Sequence, residues 1–68
     1  MNKHIAKTVE MINDFNKKFL SATISEELEM VRKIEHHAAA GGGRIVTPLG
    51  IFGSVHAAAA AHRFNTNA

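Results

Sequence analysis

Residues 2–40 read NKHIAKTVEMINDFNKKFLSATISEELEMVRKIEHHAAA, and this stretch decides the fold because its apolar residues recur at helical spacing. In its first half, apolar side chains return every three or four positions, while lysines and carboxylates occupy the opposite face. The recurring apolar residues are Ile5, Val9, Ile12, Phe15 and Phe19. The pattern predicts an amphipathic helix over residues 3–20.

A second helix follows a short break in this pattern. Thr23 and Glu26 have the spacing of a capping box, in which each side chain accepts a hydrogen bond from a backbone N–H group at the start of a helix. The apolar stripe of this second helix consists of Ile24, Leu28, Val31, Ile34 and Ala38. We therefore expect a helix over residues 24–40, and the short link makes the two helices an antiparallel hairpin.

The charges along the second helix are ordered by sign. Carboxylates come first and cations and histidines come last, which complements the helix dipole at both ends. The acidic end carries Glu26, Glu27 and Glu29, and the basic end carries Arg32, Lys33, His36 and His37. We interpret the two histidines as side chains that stabilise the helix C-terminus.

The residues after Gly41, Gly42 and Gly43 lack the helical spacing of apolar residues seen in the first 40 positions. Residues 44–47 include β-branched side chains and predict a short extended strand. Because no second strand is evident, the options are pairing with another copy of the chain or packing over the helical hairpin. We favour packing over the hairpin, and we expect residues 50–53 to form a turn. Ser54 is a typical N-cap and begins a short third helix over residues 55–63.

The chain of 68 residues is short enough to be a single small domain. It divides into the helical hairpin at 1–40, a Gly-rich connection at 41–54 and a short helix with a tail at 55–68. A chain of this length buries only about 60% of its unfolded surface, so we expect its fold to need support from a partner. The absence of Cys from the sequence excludes disulfides and thiolate metal sites.

A membrane partner is not expected. Residues 45–61 carry no Asp, Glu, Lys or Arg, but Pro48, Gly50 and Gly53 interrupt the run, which is shorter than the roughly 20 apolar residues of a spanning helix. The N-terminal residues are charged at short intervals and do not resemble a secretory signal. These features, with the absence of Cys, favour a cytoplasmic location.

The large apolar side chains exceed what a two-helix hairpin hides along its single seam. We therefore expect a helical-bundle oligomer in which two hairpins cover each other, and a further apolar surface that binds another protein. The residues expected at these interfaces are Ile5, Val9, Ile12, Phe15, Phe19, Leu28, Val31, Ile34, Phe52 and Phe64.

Nucleic acid is an alternative partner, because four lysines share one face of the first helix. The overall excess is small, with eight Lys plus Arg against six Asp plus Glu. The carboxylates at the start of the second helix also disfavour a helix-turn-helix reader, whose N-terminal end approaches the phosphates. The lysines of this alternative are Lys3, Lys7, Lys17 and Lys18.

Five histidines make metal binding a second alternative. His36 and His37 are adjacent, and His56 and His62 are six positions apart, so neither pair has the one-turn spacing of two ligands on a helix. A site would have to form across the fold or between chains. The candidate ligands are His36, His56 and His62, and no other cofactor is expected.

The sequence contains no recognisable catalytic constellation. Ser54 lacks the second glycine of a nucleophile elbow and is explained as a helix cap. We therefore expect a mainly α, non-enzymatic protein that acts as a regulator, an inhibitor or an assembly component. Its expected partners are a second copy of itself and another protein. A short chain of this kind suits a virus or a mobile genetic element.

Overall fold

The computed structural model describes residues 2–66. It contains three helices and two strands in the order α1 (Lys3–Lys18), α2 (Ile24–Ala40), β1 (Ile45–Thr47), β2 (Gly50–Phe52) and α3 (Val55–Thr66). The mainly α class and the helical hairpin are confirmed. The third helix runs three residues further than the predicted end at residue 63. Within residues 2–66, no helix has both the length and the apolar character that crossing a bilayer requires.

The predicted caps begin α2 and α3. The Thr23 hydroxyl accepts a hydrogen bond from the backbone N–H of Glu26 at 3.2 Å, and the Glu26 carboxylate accepts one from the backbone N–H of Thr23 at 2.8 Å. The second of these bonds lowers the pKa of Glu26, because it favours the ionised carboxylate. At α3, the Ser54 hydroxyl accepts a hydrogen bond from the backbone N–H of Ala57 at 3.1 Å.

The glycines after α2 end that helix at residue 40, its predicted boundary. Gly42 and Gly43 have φ values of +114° and +90°, which side-chain-bearing residues rarely adopt. The backbone N–H of Gly43 donates to the carbonyl of Ala38 at 2.9 Å, which satisfies one of the last carbonyls of the helix. The chain then reverses into the strands.

The expectation that residues 44–47 lack a partner strand is wrong. β1 and β2 pair in antiparallel register, with Ile45 opposite Phe52 and Val46 opposite Ile51. The residues that we assigned to a turn at 50–53 therefore contain the second strand. Its pairing satisfies backbone groups that a lone strand would leave to solvent.

The turn between the strands consists of Pro48 and Leu49. The Thr47 hydroxyl accepts a hydrogen bond from the backbone N–H of Leu49 at 3.1 Å and donates one to the carbonyl of Gly50 at 3.2 Å. Both Thr47 contacts are internal to the turn, and Thr47 is buried. Pro48 fixes the φ angle that a turn needs at this position, while Gly50 adopts a φ of +144°.

The core forms where α3 and the strands cover the apolar side of the α1–α2 hairpin. Phe15 and Ile12 of α1 are its largest members, and α3 contributes mainly alanines. The buried apolar residues are Ile12, Phe15, Ile34, Ala38, Ile45, Val55, Ala58 and Ala59. One chain therefore covers, with its own second half, a surface that we expected a second hairpin to cover.

Small side chains let α3 approach α1 closely. Ala58 and Ala59 are almost fully buried, and the Asn16 amide of α1 donates a hydrogen bond to the backbone carbonyl of Ala59 at 3.0 Å. The Arg63 guanidinium donates to the Asn16 side-chain oxygen at 3.1 Å and lies 5.0 Å from the centre of the Phe19 ring. The buried alanines of α3 thus pack on α1, and the hydrogen bonds of Asn16 fix the C-terminal side of this contact.

The N-terminus of α1 meets the C-terminus of α2 through two histidine rings. The rings of His4 and His37 stack with their centres 4.0 Å apart, and the His37 Nε2 atom lies 2.9 Å from the His4 carbonyl oxygen. Gly41 lies against the His4 ring, in a place where a Cβ atom would overlap it. The two helix ends can therefore approach because residue 41 has no side chain.

The substitution Gly41→Ala is expected to displace the His4 ring and separate it from His37, at a cost of about 1 kcal/mol. Urea unfolding measures the loss of stability, and the imidazole NMR signals of the two histidines report the lost stack. The matched control is Gly53→Ala, because no atom lies within 4 Å of its added Cβ. Equal stability of the two variants would contradict the role assigned to Gly41.

Candidate protein-contact surface

Large apolar side chains remain on the surface after the core is complete. Leu20 is 95% exposed, Ile24 is 78% exposed and Phe64 is 77% exposed. Leu28, Leu49 and Ile51 are also exposed. Isolated exposed apolar residues are ordinary, but several large ones on a chain of this size indicate a contact surface.

The structure divides the expected interface residues into three groups. Ile12, Phe15 and Ile34 are at most 1% exposed and do not reach the surface, so a partner cannot contact them in this fold. The second group is half-buried and consists of Ile5, Val9, Phe19, Val31 and Phe52. Leu28 and Phe64 are exposed, and their role at an interface stays a prediction.

Sequence reasoning left Leu20 and Ile24 out of the interface. Leu20 lies just beyond the end of α1, where the helical period no longer predicts which way a side chain points. Ile24 belongs to the α2 stripe by spacing, but it stands in the first turn, beyond the part of α2 that α1 and α3 cover. The sequence feature that could have indicated the exposure of both residues is their position next to the turn between α1 and α2.

Phe64 does not anchor α3. Its neighbour Arg63 lies over the ring of Phe19, while the Phe64 side chain is exposed. Leu20 follows Phe19 directly in the chain. Leu20 and Phe64 are therefore two exposed apolar residues that each follow, by one position in the chain, a partner of the Arg63–Phe19 contact. We call these two residues the Leu20–Phe64 pair.

The exposed side of α2 carries a second apolar element. Ile24 and Leu28 are four residues apart, so their side chains lie next to each other on one helix face. On the neighbouring face, the Glu27 carboxylate lies 4.0 Å from the Nε2 atom of His56 in α3. The exposed side chains of Ile24 and Leu28 show that α3 does not cover the face of α2 on which they lie.

The lysine face of α1 has mixed charge. Lys7 pairs with Glu10 at 3.3 Å and Lys18 pairs with Asp14 at 3.2 Å, three and four positions apart on the helix. Both pairs are exposed. Beside them, a groove of about 440 Å³ between α1 and α2 has Met11 and Met30 among its lining residues, with lysines of both helices and carboxylates of α1 around them. This side of the molecule offers no uniformly positive track for a phosphate backbone.

The candidate metal ligands lie apart. His36 is exposed on α2, whereas His56 meets the Phe15 ring edge-on, with ring centres 5.7 Å apart. His62 is buried on α3. Within residues 2–66, no three His, Asp or Glu side chains come together as a set that could hold a metal ion.

His62 is a buried polar side chain in the inner face of α3. It is 6% exposed, and no hydrogen-bonding group within residues 2–66 pairs with its Nε2 atom. Burial lowers the pKa of His62, because the charged imidazolium would lose its hydration. The fold therefore favours the neutral ring over the protonated ring.

The free energy of unfolding is expected to fall as the pH drops below about 6.5, the ordinary pKa of histidine, because unfolding lets His62 take up a proton. The loss continues until the pH passes the lowered pKa of the folded state. The variant His62→Leu should show a smaller decrease between pH 7.5 and pH 5 in urea titrations. The control His36→Gln changes an exposed histidine and should keep the wild-type slope; equal slopes in all three proteins would contradict the assignment.

Comparison of this chain with protein-family models, with curated proteins and with solved structures finds no match. Its function is therefore argued from its own residues.

Proposed function

We propose that this protein is a small non-enzymatic binding protein that acts through protein–protein contacts, as a regulator, an inhibitor or an assembly component. Its proposed partners are a second copy of itself and another protein. The observation that carries the proposal is the exposure of Leu20, Ile24, Leu28 and Phe64 beside a core that the chain fills by itself.

Exposed apolar side chains have a cost that a contact removes. Water around them is released when a partner covers them, at a gain of about 25 cal/mol per Å² of apolar area. Apolar and aromatic side chains also form the energetic centres of protein interfaces. Because these residues are not part of the core, we attribute their exposed positions to contact with another chain.

Binding of nucleic acid through Lys3, Lys7, Lys17 and Lys18 is the weaker candidate. Two of these lysines have carboxylate neighbours within 3.3 Å, which reduces the charge available to phosphates. The location that goes with the proposed function is the cytoplasm, as expected from the sequence. Fractionation of the native host with an antibody against the chain tests that location.

Affinity capture from the native host, followed by mass spectrometry, tests the proposed function. The wild-type chain should retain a specific protein, and the folded double variant Leu20→Ser, Phe64→Ser should lose it. The matched double variant Lys3→Gln, Lys17→Gln keeps the apolar residues and should retain the protein. Loss of the captured material in the lysine variant alone, with nucleic acid as its main component, would overturn the proposal in favour of the alternative.

A further inference from the structure

We propose that a groove between α1 and the later turns of α2 binds an acidic amphipathic helix of a partner protein. This inference rests on the proposed function and deepens it, because it names the chemistry of one partner and a surface separate from the Leu20–Phe64 pair. The groove has a volume of about 510 Å³, and we call it the Met11 groove. Its lining residues include Lys7, Met11, Arg32, Lys33, His37 and Ala40.

The walls of the Met11 groove come from one face of each helix. Lys7 and Met11 are four residues apart on α1, so their side chains lie next to each other. The α2 wall follows helical spacing over three turns, and α2 rises about 16 Å from its first residue to its last. This wall consists of Glu29, Lys33, His36 and Ala40. The groove therefore has the length of about three turns of a helix that lies along it.

The apolar part of the Met11 groove is preformed. Met11 is half-buried and packs on the core, while Ala40 is exposed at the end of α2. The stack of His37 on the ring of His4 fixes the wall beside them. Methionine adapts its shape to different apolar side chains, and the aliphatic parts of lysine and arginine extend such a surface. A helix with apolar residues every three or four positions can bury them here without rearranging the groove.

Cations without a partner lie along this apolar part. The exposed side chains of Arg32 and Lys33 make no ion pair or hydrogen bond with any other part of the chain that the structure describes. Lys7 adds a third cation, and its contact with Glu10 is exposed and therefore weak. Among the described residues that line the groove, Glu29 is the one carboxylate. The excess of positive charge favours an occupant that carries carboxylates beside its apolar side chains.

A nucleic acid fits the Met11 groove less well than an acidic helix does. Phosphates bind best to a row of cations, whereas Glu29 stands in the α2 wall one turn before Lys33. A phosphate backbone would also leave the apolar side chains of Met11 and Ala40 uncovered. An amphipathic helix covers them and brings its carboxylates to the cations at the same time.

Fluorescence polarisation tests the proposal with a labelled peptide of about 15 residues, held helical by a side-chain link. The peptide has leucines at every third or fourth position and glutamates beside them. We expect saturable binding with a dissociation constant below about 100 µM. Arg32→Glu should raise this constant about fivefold or more. The matched control Arg44→Glu makes the same charge change at an exposed residue outside the groove lining, and should raise it less than about twofold.

Methyl NMR locates the bound peptide on the chain. The peptide should shift the methyl signal of Met11 and leave that of Ile51 in place, because Ile51 is exposed on β2 and does not line the groove. Shifts at Leu20 without a shift at Met11 would place the peptide on the Leu20–Phe64 pair. That result would overturn the groove as the binding site and keep the proposed function.

A second peptide, with lysines in place of the glutamates, tests the role of charge and should not bind. Equal binding of the two peptides, equal losses in Arg32→Glu and Arg44→Glu, or no binding of the acidic peptide at about 1 mM would overturn the proposal. An oligothymidine of about 15 nucleotides that displaces the acidic peptide and binds more tightly would overturn it in favour of nucleic acid. The proposed function is judged separately, by loss of a captured protein in the Leu20→Ser, Phe64→Ser variant.

Discussion

Phe15→Ala is expected to lose about 3–5 kcal/mol of folding free energy, the usual cost of emptying a buried aromatic site. Phe15 is 1% exposed, and its ring lies 5.5 Å from Phe19 and 5.7 Å from His56, centre to centre. Removing it therefore loosens α1 from α3 as well as the packing within α1. A chain of 68 residues has a total stability of roughly 3–10 kcal/mol, so the variant should lose from about a third to all of it.

Urea unfolding followed by circular dichroism at 222 nm measures this effect. The matched control is Phe64→Ala, which removes the same ring from an exposed position and should change stability by no more than about 0.5 kcal/mol. Repeating the titrations at two protein concentrations separates the effect of association from the effect of the substitution. If both variants lost the same stability, the assignment of Phe15 to the core and Phe64 to the surface would be contradicted.

Ala59→Leu is expected to push α3 away from α1. Ala59 is 1% exposed, and its carbonyl oxygen accepts the hydrogen bond from Asn16. A leucine side chain at this position has no room unless α1 and α3 move apart, and overpacking of this kind costs about 1–3 kcal/mol. Separation of the helices would also break the Asn16 contact, so we expect the cost to lie at the upper end of that range.

Ala57→Leu provides the control within the same helix. Ala57 is exposed, and leucine has nearly the helix propensity of alanine, so its replacement should be almost neutral. Thermal and urea unfolding of the two variants give the comparison. Ala59→Leu with wild-type stability would show that α3 does not pack on α1 through its alanines.

The helices and their caps could be predicted because their signals are local. The capping box at Thr23 and the N-cap at Ser54 depend on residues within four positions, and all three hydrogen bonds form as expected. The strand pair was missed because its turn, Pro48-Leu49, lacks the Asn-Gly or Asp-Gly signal of common two-residue hairpins. Three-residue strands also have too few positions to show an alternating pattern.

The division between core and surface could not be predicted from periodicity. Spacing shows which side of a helix is apolar, but it does not show which element covers that side. Ala58 and Ala59 offer little area, so the sequence did not indicate that α3 would cover Phe15. Phe64 is the large apolar residue near the end of α3, yet its side chain is exposed and lies outside the core.

The candidate contact surface could be predicted from the sequence only in part. Leu28 and Phe64 were expected at an interface and are exposed, while Leu20 and Ile24 emerge only when the turn between α1 and α2 is known. Exposure at a turn depends on where the chain reverses, and helical spacing does not report that direction.

The central claim is that one chain completes its own core and keeps a separate apolar surface for contact with other chains. Sedimentation equilibrium of the triple variant Ile24→Ser, Leu28→Ser, Phe64→Ser beside the wild type tests it most directly. We predict that the wild type self-associates in the micromolar range and that the variant is a monomer with wild-type helical content. A variant that unfolds on losing these side chains, or that associates as the wild type does, would contradict the claim.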